Sequence, residues 1–234
     1  MKPIFYRYRD LTAETANRDF HIHTARTDGK ATIDEILARA EEIGLAQIAF
    51  TEHARAETSW YQEFADEVRR KRERASFTVF VGVEVRAKDN HGTVDVSSKI
   101  ADNCEIILGS VHRFSTPDGG VLEFNRVSPE EFAEREFDMA MGLVKHGPIN
   151  VLAHPGGMYE RRHGFFPESY FRAILEASLE RGIAVEINSS YLRNFKQFLR
   201  LCEEINPYVS IGSDVHTLED IGHCRDLLRE QRIS

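Results

Sequence analysis

Between Thr32 and Gly44 the sequence TIDEILARAEEIG places Ile33, Ile36, Leu37, Ala40 and Ile43 three or four residues apart, an apolar stripe along one face of a helix. Thr32 and Glu35 have capping-box spacing and Gly44 supplies a stop, so both ends of this helix are marked. The period then changes. AQIAFTEH (46–53), FTVFVGVEVR (77–86) and EIILGSVHRF (105–114) are short runs dense in apolar and β-branched residues, as in strands buried on both faces. Helical spacing returns in SPEEFAEREFDMAMGLVKH (128–146), with Ser128 as cap and Pro129 in the first turn. It recurs in PESYFRAILEASLERG (167–182), where Phe171, Ile174, Leu175, Ser178 and Leu179 share a side, and in 192–205 and 218–231. INVLAHPGG (149–157), IAVEINSS (183–190) and VSIGSDVH (209–216) lie between them as strands.

With DFHIH (19–23) as the first, seven strands alternate with helices. That order implies parallel pairing through right-handed crossovers in an α/β fold. Residues 88–103 fit least well: they have room for a short extra strand but contain no long helical pattern. Residues 1–18 read as an N-terminal arm packed across the bottom of the sheet, and no linker divides residues 1–234, so one domain is expected.

Composition narrows the partners. Thirty basic and thirty-eight acidic residues give a net charge of −8, which argues against a nucleic-acid binder relying on a broad basic surface. Cys104, Cys202 and Cys224 have no CxxC spacing and are odd in number, so a reduced, cytoplasmic protein is expected. The start carries charges instead of an apolar leader, and no apolar run is long enough for a membrane span. Oligomeric state leaves no mark on the sequence.

The histidines change the picture. His21 and His23 end the first predicted strand, His53 the second, Glu84 the third, His112 the fourth and His154 the fifth, with Asp214 and His216 at the last. Side chains at the C-terminal ends of parallel barrel strands converge on one mouth, which Asp28 can reach from the loop after the first strand. Residues two apart in a strand share a face, so His21 and His23 can present their imidazoles to one ion. Imidazole and carboxylate suit Zn, Mn or Fe in the divalent state. Six histidines and three carboxylates exceed one tetrahedral ion, and the count favours two to three. Each piece alone is weak, since a lone HxH is as often a satisfied pair and a lone Glu84 a solvated strand end. Nine such groups at one end of successive strands are another matter.

The segments DFHIHTARTDGK, IAFTEH, GVEV, ILGSVH, VLAHPGG and IGSDVH resemble, in order, the motifs of the PHP (polymerase and histidinol phosphatase) family. The resemblance implies a distorted (β/α)7 TIM-like barrel with a trinuclear metal centre. It implies that His21, His23, Glu84 and Asp214 hold one metal, that Glu84 bridges to a second held by His112 and His154, and that Asp28, His53 and His216 hold a third. Glu84, Asp214 and His216 are the residues it would assign to catalysis. Glu52 stands in TEH where the family often has Asp, beside the ligand and not in its place.

The activity this implies is metal-dependent hydrolysis of a small phosphorylated metabolite through a metal-bridging hydroxide, histidinol-phosphatase-like. A nucleotide phosphodiesterase or nuclease and an amidohydrolase-like C–N or C–O hydrolase are the alternatives, and a non-catalytic metal-stabilised module is the third reading. Among basic residues near the ligands (Arg26, Arg55, Arg86, Lys88, Arg113, Arg161 and Arg162), Arg26, Arg55 and Arg113 are the chosen phosphate-binding candidates, because each lies one to three residues from a ligand. Of the histidines off the pattern, His163 is the one expected to reach substrate. Trp60 and Tyr61 are read as a pocket wall or as core.

Overall fold

The computed structural model describes residues 2–115 and 120–232. In chain order its elements are β1 (Tyr6–Arg7), β2 (Arg18–Ile22), α1 (Ile33–Glu42), β3 (Gln47–His53), α2 (Tyr61–Lys71), β4 (Thr78–Arg86), α3 (Ser98–Ala101) and β5 (Ile106–Ser110). They continue with β6 (Phe114–Ser115), β7 (Val121–Leu122), α4 (Pro129–His146), β8 (Val151–Leu152), α5 (Gly157–His163), α6 (Glu168–Arg181), β9 (Ala184–Asn188), α7 (Phe195–Ile205), β10 (Tyr208–Gly212) and α8 (His223–Arg232). The α1 capping box forms as the spacing predicts, and Ser128 caps α4 with Pro129 in its first turn.

Strands β2-β3-β4-β5-β8-β9-β10 are parallel neighbours in that order. The two edges then meet. Ile22 and Val215 form a parallel bridge in which the His23 N–H donates to Val215 O and the Val215 N–H to His21 O, each at 3.0 Å. The result is a distorted (β/α)7 TIM-like barrel. Its weakest crossover, between β4 and β5, has only the four-residue α3 and a bridge from Ala87 to Val94, in the stretch where no helical period is legible.

Alternation along each strand sorts the side chains. In β4, Val79, Val81, Val83 and Val85 join the cluster that packs under the helices, while Phe80, Gly82 and Glu84 take the other face. Phe20, Ala49, Phe80, Ile106, Val151 and Ala184 fill the lower lumen as a separate cluster. Polar groups begin one layer higher. A register shift in β2 between Asp19 and Ile22 lets Phe20 join the apolar plug while the next residue, His21, joins the polar layer.

The chain before β2 contributes a short edge strand and an aromatic contact. Residues Tyr6 and Arg7 pair antiparallel with Val209 and Tyr208, and Phe5 meets Phe20 edge to face at 6.2 Å. Met1 of the arm lies outside the described residues. Phe5→Ala is expected to lower stability by about 1–3 kcal/mol, the worth of a partly buried aromatic ring, without lowering metal content. Urea denaturation beside elemental analysis checks both.

Candidate metal centre

The sheet register builds the mouth. His53 and Glu84 are direct partners across β3 and β4, and residues 86 and 110 pair one step beyond, so His112 emerges beside them. His154 follows β8, and Asp214 and His216 follow β10. His154 at φ 28° and Asp214 at φ 51° occupy the left-handed region that side chains other than glycine avoid. Asn206, the third such residue among the described ones, is a helix C-cap where this conformation is ordinary. The other two are strained backbone at the mouth, held where their side chains are needed.

Nine side chains converge there. His21 Nε2 lies 3.3 Å from Glu84 Oε2 and 3.4 Å from Asp214 Oδ1, and His23 Nε2 lies 3.5 and 3.2 Å from the same two atoms. Glu84 Oε1 is 3.2 Å from His112 Nε2 and 3.0 Å from His154 Nε2, which are 3.4 Å apart. Asp28 Oδ2 is 3.3 Å from His53 Nε2 and 3.4 Å from His216 Nε2. A tetrahedral ion with bonds of about 2.0–2.1 Å separates its ligand atoms by about 3.3 Å. These separations, 3.0–3.5 Å, bracket that edge length.

Buried atoms without hydrogen bonds point the same way: His21 Nε2, both ring nitrogens of His23, and Glu84 Oε2 have none. Buried imidazole and carboxylate atoms this close together and left without hydrogen bonds are what a metal ion's ligands require. The donor set therefore fits divalent cations. The sets also share borders, because His53, Glu84 and His112 are near enough to share an ion, as are His23, His53 and His216.

Charge agrees with geometry. Burial drives the His23 imidazole down to about 4 despite Asp214, so it is neutral and free to ligate. Burial also opposes charge on His53, yet Asp28 and Glu84 raise it to about 10, and Asp28 raises His216 to about 9. The His216 and His53 contacts hold Asp28 well below the usual carboxylate range. Burial opposes ionisation of Glu84, but the His112 and His21 charges outweigh it and hold it well below its ordinary value. Left to protons alone, these carboxylates favour the charged forms of His21, His53 and His216, whereas burial keeps His23 and His112 toward the neutral form.

Three carboxylates outside the predicted set position the ligands. Glu186, fully buried, sits 2.8 Å from His21 Nδ1 with one oxygen and accepts the His154 N–H at 2.7 Å with the other. A Cβ on Gly212 would fall 2.0 Å from Glu186 Oε1, so only glycine leaves room for that approach. Glu52 accepts the Thr24 N–H at 2.7 Å and the hydroxyls of Thr24 and Thr27, tying down the loop that carries Asp28. Asp19 accepts the Ser213 N–H at 3.0 Å and the Gly222 N–H at 2.9 Å, anchoring the approach to Asp214. The one sequence signal for Glu186 is an acid inside the apolar run IAVEIN, on the same face as Ala184.

The arginines divide. A cleft of about 400 Å³ over the ligands is lined by Arg161, Ser190 and Tyr191 along with Asp28, His112, Asp214 and His216. Tyr191 stacks on His154 at 4.3 Å, and the Arg161 guanidinium lies 3.9 Å above the Tyr191 ring. Arg161 thus enters the site from α5. Arg55 and Arg113 line an adjoining cleft that shares His53, Glu84 and His112. Arg26 is not among the residues brought to either cleft: it turns to Glu63 and Glu67 at 3.4 and 3.7 Å and lines a separate groove against α2. The His163 ring packs on Phe132 and Tyr159. Trp60 lines the cleft of Arg55, whereas Tyr61 is core, its hydroxyl donating to Gly82 O at 2.7 Å. Cys104 and Cys224 are not in disulfides, and no described helix is long and apolar enough to cross a membrane.

Comparison with known proteins places this geometry. A "Probable phosphatase" of Caldicellulosiruptor saccharolyticus is 27% identical over 226 residues, covering 90% of this chain and 85% of its own. A "Probable phosphatase YcdX" of Escherichia coli is 24% identical over 222 residues, covering 90% and 83%. Among solved structures, the "putative histidinol phosphatase hisK" of Listeria monocytogenes superposes with a TM-score of 0.67 at 14% identity, covering 88% of this chain and 97% of that one, a likeness of fold. The PHP domain model matches residues 19–190, which take in every barrel strand but the last. With the strand-end imidazoles and carboxylates drawn into one mouth, the chain belongs to the PHP domain family.

Proposed function

We propose that the chain is a metal-dependent phosphomonoesterase that hydrolyses a small phosphorylated metabolite, with up to three divalent ions held at the barrel mouth. The observation that carries this is the spacing of the three donor sets, two of which share Glu84. His21, His23, Glu84 and Asp214 would hold one ion, Glu84 with His112 and His154 the second, and Asp28, His53 and His216 the third. Bound ions of this kind supply Lewis acidity to phosphoryl oxygens and activate water near neutral pH.

The chain's own groups do the rest. Arg161, parked over Tyr191 at the mouth, presents its planar fork to the phosphate oxygens, with Ser190 beside it. Asp214 and His216 stay at the open side, where His216 keeps its Nδ1 2.8 Å from Asp214 O and so aims Nε2 at the cleft. A net charge of −8 and relatives named as phosphatases support a small substrate over a nucleic acid.

Protein loaded separately with Zn, Mn and Fe should hydrolyse phosphomonoesters faster than diesters and carry two to three ions by elemental analysis. Chelation should abolish turnover. Protons and metals compete for His21, His53 and His216, whose affinities for protons the neighbouring carboxylates raise, so stripping should be faster at pH 5 than at pH 8. Fully loaded protein inert toward every phosphate ester would overturn the reading.

A further inference from the structure

Arg55, Arg86 and Arg113 follow or end three successive strands, β3, β4 and β5, and meet on one wall of the cleft that also carries His53, Glu84 and His112. Apart from those three candidate ligands the lining is Thr27, Ala54, Thr58, Trp60 and the arginines, without a second carboxylate. In a chain with a net charge of −8 this concentration of positive charge runs against composition. It is also built. Arg86 Nη2 lies 2.6 Å from Asp95 Oδ2, and Asp95, itself buried, accepts the Ala56 N–H at 3.3 Å, so one carboxylate fixes both Arg86 and the loop bearing Arg55.

Arg55 and Arg113 have no ion-pair partner among the described residues. Holding them together costs free energy that a bound anion would offset. The scissile phosphate does not require them, because the ions proposed above and Arg161 in the other cleft already face it. Arg86 and Arg113 also border a further cleft of about 620 Å³, where Lys88 and Arg135 are mixed with Asp89 and Asp138, so the carboxylate-poor basic wall is confined to the cleft beside the ligands.

We propose that Arg55, Arg86 and Arg113 form a subsite for a second phosphate group, and that the preferred substrate is a small bisphosphorylated molecule cleaved at its other end. This rests on the phosphomonoesterase reading of the same site. The span between the groups can be measured with a ladder of alkanediol bisphosphates set against the hydroxyalkyl monophosphates of equal length, using full-length, metal-loaded protein.

For the best-fitting length, kcat/KM should exceed that of the monophosphate by about tenfold or more, beyond the roughly twofold given by two reactive ends. The double variant Arg55→Ala with Arg113→Ala should collapse that ratio toward about two, and the lysine double variant should restore part of it. Calorimetry with the matching bisphosphonate and monophosphonate reads the subsite without turnover: a preference in the wild type lost in the alanine variant supports it. Equal binding of the two, or a preference that survives the double substitution, would overturn the subsite. Selective bisphosphonate binding without hydrolysis of any ester would keep the subsite and refute the phosphatase reading instead.

Discussion

Glu84→Gln is expected to cut phosphate-ester hydrolysis by about a thousandfold or more, which corresponds to roughly 4 kcal/mol of transition-state stabilisation. Glu84 is 2% exposed and faces five imidazoles, His112 and His154 from one oxygen and His21, His23 and His53 from the other. An amide offers one oxygen and turns an N–H₂ donor toward nitrogens whose lone pairs should face a cation. One of the two donor sets that share Glu84 therefore loses its anionic edge, and metal content should fall along with rate. Glu52→Gln is the comparison. It is equally buried, but its partners are Thr24 and Thr27, whose hydroxyls can turn to accept from an amide, so it should lose much less of both. Near wild-type turnover by Glu84→Gln with full metal content would show that the shared carboxylate is not where the chemistry depends on charge.

Glu186→Gln should weaken metal binding by about 10- to 100-fold although Glu186 is not itself placed as a ligand. The reason lies in tautomers. As a carboxylate it accepts at both oxygens, from the His154 N–H at 2.7 Å and from a proton on His21 Nδ1 at 2.8 Å. That proton leaves His21 Nε2 with a free lone pair toward Glu84 and Asp214. A glutamine must turn its N–H₂ group to one of the two. Facing His154 it opposes a backbone donor. Facing His21 it donates to Nδ1 and drives the remaining proton onto Nε2, the atom the metal needs. Calorimetric metal titration of the apo-protein, with thermal unfolding as a separate reading, checks this. Unchanged affinity would mean that the tautomer of His21 is set by something else.

The arginines show where sequence distance misleads. Arg26 lies three residues from His23 but points across the outside of the barrel to α2, whereas Arg161 lies seven residues past His154 and reaches the mouth. A helix turns its side chains through a full circle in 3.6 residues, so nearness along the chain does not fix direction. Only the presence of α5, and the Tyr191 ring beneath it, brings Arg161 to the ligands.

What the sequence determined by itself was the set of elements and one end of them. Period-two and period-3.6 patterns are local, and so is the offset of each polar residue from its apolar run. The nine residues from His21 to His216 could therefore be named as convergent before any coordinate was known, once the strands were taken as parallel. The tertiary structure decided what depends on groups far apart in the chain. It set the β2 register shift that gives Phe20 to the plug and His21 to the mouth, and the 165-residue reach of Glu186 to His21. It also set the left-handed backbone at His154 and Asp214 and the direction of every arginine. Those are properties of packing and of charge at distances of a few ångströms, which a one-dimensional pattern does not encode.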